Sequence, residues 1–182
     1  MKTLALDTSH RYLTIALIED DTLIQAIQTP SLKTQSETIM VEIDRLFALA
    51  GWKPSDLNAL VLTDGPGSYT GLRISMTVAK VLGLTQNIQL YTISSLQLMA
   101  GTLPDVVAVM DARAKRVYLG HYQNGLPVNE DATYPIEEAI HIIKEDSVVV
   151  GDASYLHHSA TEVYAPQHFI DLRSQWKPVD NV

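Results

Sequence analysis

Two stretches of this chain carry the same order of elements, and that duplication constrains the fold more than any single motif does. In the first stretch, strand-like runs at Lys2–Leu6, Tyr12–Ile18 and Thr22–Gln28 precede a helix over Ser36–Ala50 and a strand over Leu57–Thr63. In the second, Val106–Met110, Arg116–Tyr122 and a run after Asn124-Gly125 precede a helix from Pro135 to about Lys144 and a strand over Ser147–Val150. Glu19-Asp20-Asp21 and Asn124-Gly125 read as hairpin turns, Asn-Gly being the stronger signal. Gly51, followed by Pro54, ends the first helix. Each first strand runs into an aspartate, in Leu6-Asp7-Thr8-Ser9 and in Met110-Asp111-Ala112-Arg113. A helix over Gly71–Leu84, a strand over Gln89–Thr92 and a helix capped at Ser94 or Ser95 lie between the copies. From Ser154 onward the sequence is polar and irregular, and no element is assigned. The expectation is an α/β protein of two lobes, residues 1–102 and 103–182.

The run Gly65-Pro66-Gly67-Ser68-Tyr69-Thr70-Gly71-Leu72-Arg73 joins an apolar strand to a long apolar helix. Its glycines and proline demand a tight turn, positive φ or a close approach by another segment. Ser68 and Thr70 are placed to cap the helix. Such a strand-to-helix turn reads either as an anion cradle, with N–H groups and helix dipole facing a negative charge, or as a tight capped connection without a ligand. The lysine of a phosphate-binding P-loop is missing, because Leu72-Arg73 follows Gly71.

Composition narrows the functional classes. The net charge is −8 and the thirteen Lys and Arg are scattered along the sequence. Unaided nucleic-acid binding needs clustered cations, so any RNA must be held mostly by something else. With no cysteine, disulfides and thiolate metal sites are excluded. Asp7 arrives too early for a signal peptide, and the expected location is cytoplasmic. Of the six histidines, at positions 10, 121, 141, 157, 158 and 168, only His157 and His158 are close. Adjacent residues point apart, so the reading is surface or loop histidine and no metal site.

The duplicated order with strand-end aspartates resembles the actin, Hsp70 and sugar-kinase superfamily, a two-lobed βββαβα fold. Within it, the chain is similar to the TsaB (YeaZ) family. Leu4-Ala5-Leu6-Asp7-Thr8-Ser9, Ser36-Glu37, the run Asp64–Arg73, Ser94-Ser95-Leu96, and Asp111-Ala112-Arg113 with Val117-Tyr118 carry that resemblance. It spans about two thirds of the chain. The resemblance implies an accessory subunit in making threonylcarbamoyladenosine at position 37 of tRNA. It implies pairing with the catalytic relative TsaD or with a second copy, recruitment of the ATPase TsaE, and contact with tRNA only through the complex. It also implies that ATP, ADP or metal enters only with the partners, and that relatives continue into a tail beyond the position of Val182. Catalytic relatives hold a metal through His-x-x-x-His on a helix. Here the equivalent segment, Gln35-Ser36-Glu37-Thr38-Ile39-Met40, has no histidine, so no catalytic residue is assigned.

In kinase relatives the strand-end aspartates handle nucleotide. Asp7, Thr8, Ser9, Asp111 and Arg113 therefore read as a vestigial or partner-shared nucleotide site. The plainer reading is that both aspartates cap turns by accepting local N–H bonds. A small-molecule kinase is the rival function, and Gly151-Asp152-Ala153-Ser154 is its one candidate adenosine loop.

The helices flanking the glycine turn carry the case for a partner. Ile39, Met40, Ile43, Leu46, Phe47 and Ala50 form one stripe, with Val41 and Leu49 off it. Leu72, Ile74, Met76, Val78, Ala79, Val81, Leu82 and Leu84 go nearly all round the second helix. A small lobe has little of its own to cover such a cylinder. The expected interface comprises Met40, Ile43, Phe47, Leu72, Arg73, Met76, Val78 and Lys80. Glu37, Glu42, Asp44 and Arg45 add to a polar rim. Gly65, Pro66, Gly67, Ser68, Thr70 and Gly71 serve as the structural turn.

Overall fold

The computed structural model describes residues 1–31, 33–85 and 88–179, the side chains of 84 and 85 excepted, so that of Leu84 lies outside the described residues. The first lobe opens with β1 (Lys2–Asp7), β2 (Tyr12–Glu19), β3 (Thr22–Pro30) and α1 (Gln35–Ala50). It continues with β4 (Ala59–Thr63), α2 (Tyr69–Thr85), β5 (Gln89–Ile93) and α3 (Ser95–Ala100). The second lobe comprises β6 (Val106–Asp111), β7 (Arg116–Gln123), β8 (Leu126–Pro127), β9 (Ala132–Pro135), α4 (Ile136–Ile142) and β10 (Val149–Gly151). Last come α5 (Ala165–Asp171) and β11 (Lys177–Val179).

The expected duplication is visible in the strand order. One sheet runs β11-β5-β4-β1-β2-β3 and the other β10-β6-β7-β8, with β9 also on β7. In each, the first strand pairs antiparallel with its successor and parallel with the strand that follows the helix. The second copy closes on a single helical turn, Ala153–Leu156, where the first has α2. Its third strand is also divided. Asn124 and Gly125 take φ of 50° and 83°, the double positive φ of a two-residue hairpin turn, and Gln123 pairs with Leu126. Pro127 has no N–H to continue the ladder, which resumes at β9.

Alternation of side-chain size assigns the two faces of the first sheet. Leu4, Leu6, Leu13, Ile15, Leu17, Leu60 and Leu62 face α1 and α2, packing on Ile39, Ile43, Leu46, Phe47 and Val78. The opposite face carries the small Ala5, Ala16 and Val61, over which Leu98, Phe169 and Trp176 lie. β4, central and parallel, is buried along its whole length, as a continuous apolar run covered on both faces must be. Gly51 ends α1 in the left-handed region at φ 67°, and the buried Trp52 returns its N–H to the Phe47 carbonyl at 2.9 Å. Among the described residues no helix is long and apolar enough to cross a membrane.

The lobe boundary differs from the expectation. α3 lies between the sheets, giving Leu98 to the first core and Leu96 and Ala100 to the second. The segment expected to complete the second lobe returns to the first, where β11 pairs antiparallel with β5. Gln28 of β3 holds the returning chain with both ends of its amide, donating to the Val163 carbonyl at 2.9 Å and accepting from Ala165 N–H at 2.8 Å. The physical reason is the uncovered second face of the first sheet. α1 and α2 cover only one side, and Phe169, fully buried, fills the other.

Candidate functional site

The two strand-end aspartates act alike. Asp7 Oδ1 accepts from Ser9 N–H at 2.9 Å and from the Thr63 hydroxyl at 2.8 Å. Asp111 Oδ1 accepts from Arg113 N–H at 2.8 Å. Each carboxylate thus closes a local turn two residues on, the geometry of the plainer reading. Arg113 bends back, its guanidinium 3.3 Å from Asp111 Oδ2, while its side chain stays largely exposed.

The glycine run is closed by the chain itself. Thr8, fully buried, donates its hydroxyl to the Gly71 carbonyl at 2.6 Å, and Ser68 N–H donates to the Ser9 carbonyl at 2.7 Å. A Cβ on Gly67 would stand 2.5 Å from the Ser9 oxygen, and one on Gly71 only 1.9 Å from the Thr8 oxygen. Those glycines therefore let α2 start against the β1–β2 loop. Ser68 is the cap, its Oγ accepting from Gly71 N–H at 3.2 Å. Thr70, expected to share that role, lies inside the first turn with its side chain exposed. The Gly65 carbonyl accepts from Ser95 N–H at 2.8 Å, and the Gly65-Pro66 bond is cis.

Between the lobes lies a cleft of about 830 Å³, lined in part by Ser9, Arg11, Lys33, Ser68, Asp111 and Arg113. His10 Nε2 meets Asp152 Oδ2 across it at 3.0 Å, and the same oxygen accepts from Asp111 N–H at 2.9 Å. Burial pushes the Asp152 carboxyl up, but the His10 hydrogen bond and charge, the Asp111 N–H and Arg11 outweigh it and hold the group below its usual range. Gly151 is needed for packing, since a Cβ there would meet the Val109 oxygen at 2.2 Å. Gln35 spends its Nε2 on the His10 and Tyr12 carbonyls at 3.0 and 2.8 Å, and Ile39, one turn on, is buried in the core. An amide already donating and an aliphatic side chain do not fit a helix-borne metal. Among the described residues no group of three or more His, Asp or Glu converges on a metal position.

On the outer face of the first lobe, α1 and α2 splay to leave an open groove of about 650 Å³. Ile39, Ile74 and Val78 line its length, and Met40, Tyr69 and Arg73 stand along it. Tyr69 is 74% exposed and Met40 53%. The Arg73 guanidinium lies 5.4 Å from the Tyr69 ring centroid and donates to its hydroxyl at 3.2 Å. Of the residues expected at an interface, Met40, Arg73, Met76 and Lys80 are exposed and Leu72 is half-buried, whereas Ile43, Phe47 and Val78 are buried in the lobe's own core. Ile43 and Phe47 turn toward the sheet, and Val78, though buried, shares the floor of the groove. Apolar periodicity marks a face and does not say what covers it.

Two features escape a sequence reading. Tyr69 sits inside a run that reads as turn, and only its aromatic character beside a helix start hints at a surface role. The His10–Asp152 pair spans 142 positions, and no local pattern signals it.

Comparison with known proteins gives the following likenesses. A family model described as "TsaD: tRNA N6-adenosine threonylcarbamoyltransferase" matches residues 29–145. The tRNA threonylcarbamoyladenosine biosynthesis protein TsaB of Bacillus subtilis is 35% identical over 190 residues, covering 98% of this chain and 83% of that protein. The Escherichia coli protein of the same name is 29% identical over 154 residues, 81% of this chain and 64% of its own length. The structure of YeaZ from Pseudomonas aeruginosa superposes with a TM-score of 0.80 at 21% identity, over 96% of this chain and 91% of that one.

Proposed function

Because the chain belongs to the TsaB (YeaZ) family and has the two-lobed fold of the actin, Hsp70 and sugar-kinase superfamily, we propose that it serves tRNA threonylcarbamoyladenosine biosynthesis as a non-catalytic subunit docked on a TsaD-like protein. The observation that carries this reading is the open α1–α2 groove. An aromatic, a methionine and an arginine beside an apolar channel are the residue types enriched where proteins meet. Tyr69 and Met40 anchor the partner, Met76 extends the contact along α2, and Arg73 and Lys80 make the rim. When the partner is lacking, a second copy occupies the same face, and a TsaE-like ATPase joins the assembled pair.

The chemistry belongs to the partner. The Ser68 and Gly71 amides, which a nucleotide phosphate at the glycine turn would need, are already bonded within the chain, so nucleotide and metal are held with the partners' residues. The test combines sedimentation velocity with reconstituted tRNA modification, using Met40→Glu and Met76→Lys. Each removes an apolar contact worth about 1.5–3 kcal/mol when fully buried, and both sites are exposed on the free chain. The heavier species is expected to vanish while circular dichroism stays unchanged. An unaltered complex removes the interface, and transferase activity of the chain alone removes the accessory role.

A further inference from the structure

We propose that the mouth of the interlobe cleft is a contact site for the phosphodiester backbone of RNA, formed by Arg11, Lys33 and Arg113 around the Ser9 hydroxyl. The inference rests on the reading that the pathway acts on tRNA, and goes beyond it by placing RNA against this subunit itself.

The cations scattered in sequence are gathered in space. Arg11 comes from the β1–β2 loop, Lys33 from the segment before α1, and Arg113 from the β6–β7 turn, and all three line one cleft. They do so on a chain of net charge −8. Arg11 and Lys33 make no ion pair among the described residues, and Arg113 keeps its side chain 87% exposed although it touches Asp111. The cleft carboxylates are engaged, Asp111 by Arg113 and Asp152 by His10 and the Asp111 N–H.

The second observation is independent of charge. Ser9 lines the cleft, is 1% exposed, and its Oγ has no hydrogen-bond partner among the described residues. A buried hydroxyl without a partner calls for an explanation, and of the described side chains in that state only Ser9 stands in the cleft wall. Ser68, its neighbour on the cleft wall, uses its Oγ as acceptor for Gly71 N–H and keeps its hydrogen to give. Arg113, Ala114 and Lys115 hold φ of 65°, 48° and 59°, a run of left-handed residues that sets the basic tip at the cleft edge. The ligand is a backbone phosphate because the groups that meet it are side chains from three loops. The amides of Ser68 and Gly71, which a triphosphate cradle would use, are already bonded.

Salt dependence of binding between the full chain and a labelled tRNA transcript tests this. Three phosphate contacts give an affinity loss of about 20- to 40-fold between 50 and 200 mM salt, from a slope of about 0.7–0.9 per contact. Lys33→Gln combined with Arg113→Asn, asparagine being suited to the left-handed position, leaves about a 3-fold loss. Lys53→Gln with Lys177→Gln, outside the cleft, tracks the unaltered chain. No binding at 50 mM, or equal slopes for all three proteins, overturns the proposal. Displacement of the RNA by Mg-ATP, with ATP binding lost in the same variant, also overturns it by assigning the cleft to a nucleotide. The pathway reading is judged separately, from the threonylcarbamoyladenosine content of tRNA in cells depleted of the chain. A drop in the modified base without RNA contact leaves that reading standing and removes this inference alone.

Discussion

Replacing Gly71 by alanine sets two principles against each other. Gly71 lies in the first turns of α2, and inside a helix Gly→Ala ordinarily stabilises by about 0.5–1 kcal/mol. Here the added Cβ falls 1.9 Å from the Thr8 carbonyl oxygen and 3.0 Å from its carbon. Reaching an ordinary separation of about 3.5 Å requires backbone to move by roughly 1.6 Å. That movement overpacks a close junction, at about 1–3 kcal/mol. It also stretches the buried Thr8–Gly71 bond of 2.6 Å, with a loss of about 1–3 kcal/mol if the hydroxyl is left unpaired. Less the helix gain, the net is a loss of about 3 kcal/mol, or about 6–12 °C in Tm for a domain of this size. Urea denaturation is the assay, with an unchanged slope and a lower midpoint expected. Gly51→Ala is the internal comparison. Among the described residues it meets nothing within 4 Å, but it holds φ of 67°, so it loses only the torsional preference, about 1–2 kcal/mol. If Gly71→Ala stabilises, or costs less than Gly51→Ala, the close approach of α2 to the β1–β2 loop is refuted.

Two further outcomes test other parts of the fold. Phe169→Ala empties a fully buried position over the second face of the first sheet and should lower stability by about 3–5 kcal/mol. Hydrogen exchange should quicken in β2, and protection there identical to the unaltered chain would show that α5 does not cover this sheet. The Asp152 carboxyl is held low chiefly against burial by His10, so the unfolded chain takes up its proton first as pH falls. Its contribution is complete above the unfolded pKa of about 3.9 and disappears as pH drops through the lower folded value. Chemical denaturation of Asp152→Asn should therefore show a shallower acid limb below pH of about 4, converging with the unaltered chain in strong acid. Parallel limbs would remove the clasp as a titrating element.

How much of this was legible in the sequence depends on where each residue finds its partners. β4 is readable because a strand buried on both faces is apolar throughout. Asn124-Gly125 is readable because positive φ leaves few residue choices. Asp7 and Asp111 reveal their turns through spacing, since the accepted N–H lies two positions on. By contrast, β11 is Lys177-Pro178-Val179, three residues without periodicity, and it is a strand only because β5 offers an unpaired edge. α5 owes its place to the bare side of the first sheet, a fact held by residues more than a hundred positions earlier. The division of α1 and α2 into inner and outer faces is similar. Phe47 and Met40 are both apolar, and only the sheet beneath decides that one is buried and the other exposed. Arg11, Lys33 and Arg113 look dispersed until the lobes bring their loops to one rim.

The return of α5 and β11 to the first sheet means that the polypeptide passes between the lobes twice, after α3 and again before α5. Two crossings restrict relative movement to rotation about a line through both, where one would leave a swivel. They also dictate how the molecule can be divided. Cutting after residue 102 strips the first half of its edge strand and of the aromatic plug beneath its sheet, so expression of either half alone should give insoluble material. A working split would have to keep 165–179 with the amino-terminal piece and excise only the segment between the crossings.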